Sequence, residues 1–328
     1  MKRVSKILVG ALLALGITAC STTCPTTPNI AKMNKGQNIQ IFSVDNSKGI
    51  ITAKSVEEAF SKSGLNVDGN NNMNLPFQKR YNHIHHKIYN LAMFKNSELV
   101  LKLLKKYPSA GLIAPMSMSI YSDDAKGTIN ISTLSIDGMA RITQIPVNDP
   151  DLVAYAKIVN NALYKALPNG KFKPLPYTVK HPDKALVTDF EAEFEADDSG
   201  SYATAKEDFE AELEGELESL GFLFPNYNNF KEDLFDPAKY DAYDFYDTYS
   251  ICKFNVIYPV SKNHPEVGAY APCTFYIYKK KDEEKVHVGF PSVDNWINTT
   301  DITDKESIEP LRKAQGMLEK ILKDLTEE

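Results

Sequence analysis

"PSAGLIAPMSMSIY" (108–121) and "PEVGAYAPCTFYIY" (265–278) share Pro, Gly, Ala, Pro, Ile and Tyr at one spacing, 157 residues apart. Extended by three residues, Lys105–Tyr121 aligns on Lys262–Tyr278 without a gap, and seven of the seventeen positions are identical. Unrelated segments of that length share about one. The same offset pairs Gly64 with Gly221, Asn71-Asn72 with Asn228-Asn229, Tyr89 with Tyr246, Ser135 with Ser292 and Asp137 with Asp294. Apolar positions persist between these matches, as in Leu65/Phe222, Ile88/Phe245, Ile129/Val286 and Ile131/Val288. The chain therefore carries one structural unit twice.

Overlaying the copies sharpens the pattern within each. "NIQIFSV" (38–44) and "LVTDFEAEF" (186–194) alternate apolar and polar residues, the period of a strand covered on one face. A helix follows, with Val56, Phe60 and Ser63 on one stripe in the first copy and Leu213, Leu217 and Leu220 in the second. Gly64 and Gly221 suit a left-handed cap at its end. An Asn-rich loop then leads to a long strand near 84–94 and 240–252. "SELVLKLLKKYP" (97–108) reads as a helix capped by Ser97, while Pro259 is expected to shorten or distort its counterpart "FNVIYPVSKNHP" (254–265). A hairpin (112–122 with 127–134; 269–279 with 285–290) and a terminal helix (149–167; 305–325) close each unit. The result is an α+β architecture, an antiparallel sheet with helices on one face, used twice. The expected boundaries are 38–168 and 185–328, with "PNGKFKPLPYTVKHPDK" (168–184) punctuating the junction at about 169–184.

The N-terminal residues give an address. Lys2, Arg3 and Lys6 precede an uncharged, mostly apolar run from Ile7 to Ala19, too short to span a bilayer and suited to a secretory signal. Its end, Ile17-Thr18-Ala19-Cys20, resembles the bacterial lipobox. That resemblance implies a signal peptide over 1–19, cleavage before Cys20, and lipid on Cys20 anchoring the chain to a membrane; the alternative is a soluble secreted protein with an ordinary signal peptide. Ser21 after the cysteine points to the outer membrane, with the body facing the periplasm. Residues 20–37 are rich in Thr and Pro and read as a flexible tether. Loss of the signal's three basic residues takes the formal net charge from −6 to −9. An acidic body is a poor partner for nucleic acid, whose phosphates need basic surface. About 290 residues remain, enough for two ordinary domains.

"ICKFNVIYPVSKNHPEVGAYAPCTFYIY" (251–278) with "KVHVGFPSVDNW" (285–296) resembles the core of the domain of unknown function 302 (DUF302) family. Cys252 falls near that family's first cysteine, Pro265 and Gly268 on its Pro-x-x-Gly turn, Pro272-Cys273 on its Pro-Cys pair, and Asp294 on its last Asp. The first copy keeps Pro108, Gly111, Pro115 and Asp137, but has Lys95 and Met116 where the second has cysteines. The family's Asn-Pro after the first cysteine is missing from both copies. The resemblance implies a fold similar to the TATA-box-binding-protein-like class and brings no activity with it.

Three local groupings are candidates for chemistry. Cys252 and Cys273 lie on strands of one unit and are compatible with two packed thiols, a disulfide, or a reactive or metal-binding pair. "YNHIHHKIY" (81–89) puts His83 and His85 on one face of an expected strand and His86 on the other, so two imidazoles could share zinc or copper; the alternative is a set of edge-strand histidines. "FDPAKYDAYDFYDTY" (235–249) holds Asp236, Asp241, Asp244 and Asp247 without the glycine of a calcium loop, and reads as a half-exposed strand. The acidic run Glu207–Glu218 reads as a solvent-facing helix surface. No nucleophile elbow, phosphate loop, dinucleotide fingerprint or zinc-protease motif occurs, which weakens the case for an enzyme, and no cofactor is expected. The functional expectation is binding of a small ligand or envelope partner without catalysis. The alternatives are a thiol-redox or metal-handling protein built on Cys252/Cys273 or His83/His85/His86, and a purely structural envelope protein.

Overall fold

The computed structural model describes residues 36–179 and 186–327. The expected signal peptide, Cys20, most of the expected tether and part of the expected linker lie outside the described residues. The described residues form one compact unit, in which the two copies of the repeat build two antiparallel sheets. The first contains β1 (Ile39–Asp45), β2 (Asn66–Asn72), β3 (Tyr89–Lys95), β4 (Met116–Asp123), β5 (Thr128–Leu134) and β6 (Lys171–Lys173), in the order β2-β3-β4-β5-β1-β6. The second contains β7 (Val187–Glu193), β8 (Leu223–Asn229), β9 (Tyr243–Cys252), β10 (Cys273–Lys280) and β11 (Lys285–Pro291), in the order β7-β11-β10-β9-β8. Apart from the short β6, the two orders correspond strand for strand. The chain is a duplicated α+β protein.

Helices cover one face of each sheet. In the first copy α1 (Ala53–Ser61) turns Val56 and Phe60 inward; Thr52 and Ser55 cap its start reciprocally, and Gly64 follows its end at φ +84°. α5 (Pro150–Ala166) begins at Asp149, whose carboxylate accepts from the backbone N–H groups of Asp151 and Leu152. Phe94 of β3 meets Phe60 edge-on at 5.0 Å, and Phe42 of β1 meets Tyr164 of α5 at 4.8 Å. In the second copy α6 (Ala203–Ser219) and α9 (Lys305–Glu327) play these parts, with Leu213 and Leu217 buried and Gly221 at φ +82°. Ser135 and Ser292, matched in the repeat, each cap a further short helix: α4 (Ile136–Thr143) and α8 (Val293–Thr299).

The opposite faces of the sheets meet the other copy, and the duplicated Pro-Gly segments are the points of engagement. On β4, Met116, Met118 and Ile120 alternate with Ser117 and Ser119, so the methionines face the helices and the serines face the second copy. Ser117 Oγ donates to the carbonyl of Pro272 at 2.6 Å, and its counterpart Thr274 Oγ1 donates to the carbonyl of Pro115 at 2.9 Å. Ser119 and Ser132 reach the carbonyls of Pro265 and Glu266 at 2.8 and 2.5 Å. From the other side, Thr248 Oγ1 donates to Ala114 and Tyr246 Oη to Pro108. The two glycines of the motif sit where no side chain fits. An ideal Cβ on Gly111 would lie 2.1 Å from Tyr246 Oη, and one on Gly268 would lie 2.3 Å from Ser119 Cβ. The hydroxyls satisfy carbonyls that would otherwise be buried without donors. One continuous core then runs through both copies, from Phe60 and Phe94 to Tyr246, Tyr276 and Trp296.

Several local expectations are corrected. The Asn-rich loops are edge strands, β2 and β8, because Asn71, Asn72, Asn228 and Asn229 pair with β3 and β9. An additional helix, α2 (Asn74–Tyr81), follows β2, and β3 begins only at Tyr89. The N-cap of α3 (Ser97–Leu104) is Asn96, which accepts from Leu99 N at 2.9 Å, one residue before the expected Ser97. Pro259 does not shorten its helix: α7 spans Phe254–Asn263, ten residues against eight in α3. Burial of Val256, Ile257 and Val260 offsets the lost backbone hydrogen bond.

Candidate functional site

Cys252 is the last residue of β9 and Cys273 the first of β10. The strands are neighbours, but the register sets Cys273 opposite Ile251, so the two cysteines occupy alternating positions rather than a facing pair. Both are free thiols. They line a cavity of about 60 Å³ at the end of the second sheet, closed by Val256 and Ile257 of α7, Trp296 of α8, and Leu311 and Leu318 of α9. The first copy shows why the space exists. Met116, the counterpart of Cys273, is buried. Methionine carries two more side-chain heavy atoms than cysteine, so the exchange opens the second copy and fills the first. Burial pushes the Cys252 thiol up to about 12. Cys273 is also raised, by burial and then by Cys252. Neutral thiols are poor nucleophiles and poor metal ligands.

Lys253 completes the rim. It is 8% exposed, donates from Nζ to the carbonyl of Leu220 at the end of α6, and stands 4.6 Å from the ring centre of Phe222. Burial first and the Lys313 charge second hold its pKa below the ordinary lysine range. Its counterpart position, Asn96, is an ordinary helix cap.

The histidine cluster has a different setting from the one expected. His83, His85 and His86 lie in the irregular segment between α2 and β3, not on a strand. His83 and His85 have ring centres 5.3 Å apart, and His85 packs at 4.4 Å on Tyr258 of α7. His86 is drawn elsewhere, its Nε2 hydrogen-bonded at 2.8 Å to the carbonyl of Ser261. Burial, then the neighbouring His83 and His86, lower the His85 pKa. Among the described residues no group of three or more His, Cys, Asp or Glu side chains is placed to hold a metal ion. His85 and His86 join the two copies.

The acidic segments are also corrected. Asp236 and Asp241 are exposed, but Asp247 is fully buried, because its side chain lies under α6 against Lys206. Glu210, within the run expected to face solvent, is 8% exposed. Lys206 Nζ lies 2.5 Å from Asp247 and 3.5 Å from Glu210. One oxygen of each carboxylate has no hydrogen-bond donor, which fits a single proton shared between the two acids. Burial raises both carboxyl pKa values, with Asp247 adding to the rise at Glu210 and Lys206 opposing it at Asp247. The first copy has no such pair: Ala53 stands at the position of Glu210, and Asn90, the counterpart of Asp247, donates to Asn70 at 2.9 Å. In the sequence, only the one-turn spacing of Lys206 and Glu210 on α6 hinted at this cluster, and helical spacing alone does not separate it from a solvated face.

The fold and site together define a duplicated antiparallel α+β protein in which one copy holds a thiol-lined apolar cavity. The family described as "Domain of unknown function DUF302" matches residues 47–169 and 201–325. The chain belongs to that family, in two tandem copies. Among solved structures, the crystal structure of an uncharacterized conserved DUF302 protein from Bacillus stearothermophilus is similar at 15% identity, covering 44% of this chain and 99% of its own, with a TM-score of 0.35. No curated protein matches the chain.

Proposed function

We propose that this protein is a lipid-anchored binding protein of a bacterial envelope, which holds a small apolar ligand in the cavity at the end of its second sheet and performs no catalysis. The observation carrying the reading is the cavity itself. Its walls are aliphatic and aromatic, it lies between secondary-structure elements, and the thiols facing it are held protonated. Thiol chemistry would need the opposite electrostatics. Anchoring rests on the lipobox-like sequence at Cys20; no described helix is long and apolar enough to cross a membrane. The acidic net charge supports a partner other than nucleic acid.

The single tryptophan of the chain, Trp296, lines the cavity and supplies the assay. Titration of the purified protein with hexanol is expected to change Trp296 emission saturably. Ala314→Phe, which fills the cavity wall, is expected to abolish the change. A linear, non-saturating response, or one unaffected by Ala314→Phe, removes the cavity from consideration. Anchoring is tested separately by labelled fatty-acid incorporation in wild type and Cys20→Ala, with loss of label expected in the variant.

A further inference from the structure

The cavity does not end at its apolar walls. Lys253, Val256 and Ala314 also line a neighbouring cavity of about 160 Å³, bounded by Leu220, Pro310, Met317 and the exposed Lys313. Lys253 thus stands at the junction between an apolar chamber and its wider outer part, and Lys313 lines the outer part alone. Neither Lys253 nor Lys313 has a carboxylate partner among the described residues, whereas Lys95, Lys106, Lys206 and Lys279 all do. Lys253 is the more unusual of the two, because it is buried. An ammonium has three donors, and the Leu220 carbonyl takes one. The Phe222 face is a further, weaker partner. A buried cation short of a counter-ion is costly, and a second cation beside it adds to the cost.

Resting on the reading of the cavity as a ligand site, we infer that its ligand is a small amphipathic anion, with an aliphatic or aromatic body between Cys252, Cys273 and Trp296 and a carboxylate or similar head group at Lys253 and Lys313. Charge complementarity selects the head: an anion supplies what Lys253 lacks, while a cation would add a third positive charge. The apolar walls select the body, because beyond Lys253 their lining is aliphatic, aromatic and thiol apart from the Gln315 amide and the Trp296 indole N–H. The apolar chamber of about 60 Å³ displaces about two waters of about 30 Å³ each, and the neighbouring cavity of about 160 Å³ about five more, so the two together select a short chain that extends from the chamber into the outer part. The first copy cannot take the same ligand, as Asn96 replaces the lysine and Met116 fills the chamber.

The test compares three probes of one length, hexanoate, hexanol and hexylammonium, by Trp296 fluorescence on the purified protein. Hexanoate is expected to bind at least tenfold more tightly than hexanol, and hexylammonium more weakly than either. Lys253→Met should remove the preference for hexanoate while leaving hexanol binding within about twofold. Lys313→Gln, at an exposed position that leaves the fold intact, should weaken hexanoate severalfold and hexanol not at all; it serves as the readout if Lys253→Met does not fold. Equal or tighter binding of hexanol in wild type overturns the anion assignment and leaves the cavity reading standing. Absence of saturable binding by all three probes overturns both.

Discussion

Gly111→Ala is expected to destabilise the protein through one atom of the other copy. At an open site with negative φ, Gly to Ala stabilises by about 0.4–1 kcal/mol, because the unfolded chain loses freedom. Here the added methyl would lie 2.1 Å from Tyr246 Oη, 2.9 Å from Cζ and 3.0 Å from Cε1. The tyrosine has nowhere to go: it is fully buried, stacked on Tyr278 at 5.2 Å and met edge-on by Phe235 at 6.0 Å. Overpacking of this kind costs about 1–3 kcal/mol, and displacing the hydroxyl also breaks its bond to the Pro108 carbonyl, worth about 1 kcal/mol. The net expectation is a loss of about 2–3 kcal/mol, read from urea unfolding at 25 °C. A double-mutant cycle isolates the cause. Tyr246→Phe alone should cost about 1 kcal/mol, but when combined with Gly111→Ala it should cost less or restore stability, because it removes the overlapping oxygen. A neutral or stabilising Gly111→Ala, or a cycle that is simply additive, would refute the close approach of the two copies. Gly268→Ala, blocked by Ser119 Cβ at 2.3 Å and Leu91 Cδ2 at 2.7 Å, should behave alike.

Three further outcomes follow from buried polar groups. Lys95 bridges Asp68 of its own copy at 2.6 Å and Asn228 of the other at 2.7 Å; Lys95→Met should cost about 3 kcal/mol in urea unfolding, and adding Asp68→Leu should recover most of it. Glu210 is raised to about 8 from an unfolded value of 4.5, by burial and then by Asp247. The native state therefore keeps a proton that the unfolded chain releases, so stability should fall as pH rises from 4.5 to about 8 and then level off. Urea midpoints across that range should show the slope in wild type and a flatter profile in Glu210→Gln. With its thiol pushed from 9.0 to about 12, Cys252 should react with iodoacetamide roughly a thousandfold more slowly in the native protein than in urea. Peptide mapping after timed alkylation measures that ratio; equal rates would show an accessible, ordinary thiol.

Much of the fold was legible because repetition and periodicity are local. The 157-residue offset set the two units, and alternation set β1, β7 and the hairpins. Glycine chemistry set the ends of α1 and α6, where Gly64 and Gly221 do adopt positive φ. The candidate site was legible only in part. Cys252 and Cys273 stood out because Lys95 and Met116 replace them in the first copy, but nothing nearby in sequence announced Trp296, Leu311 or Leu318 as their neighbours. The histidines misled because a short β-branched and aromatic stretch resembles a strand, and only the packing of His85 on Tyr258 shows the chain to be irregular there.

By itself, then, the sequence determined duplication, an α+β class, helix ends and an acidic body, all of which depend on residues within a turn or two of each other or on exact recurrence. Tertiary structure decided everything that depends on which surface covers which. Ser117, Ser119, Ser132, Thr248 and Thr274 look like solvent-facing positions in an alternating strand, yet they are buried donors to carbonyls of the other copy. The physical reason is that a polar residue in a strand reports only that it needs a hydrogen-bond partner. Whether that partner is water or the Pro-Gly segment of a second copy is set by contacts between residues 134–159 positions apart, and the fold alone brings those together.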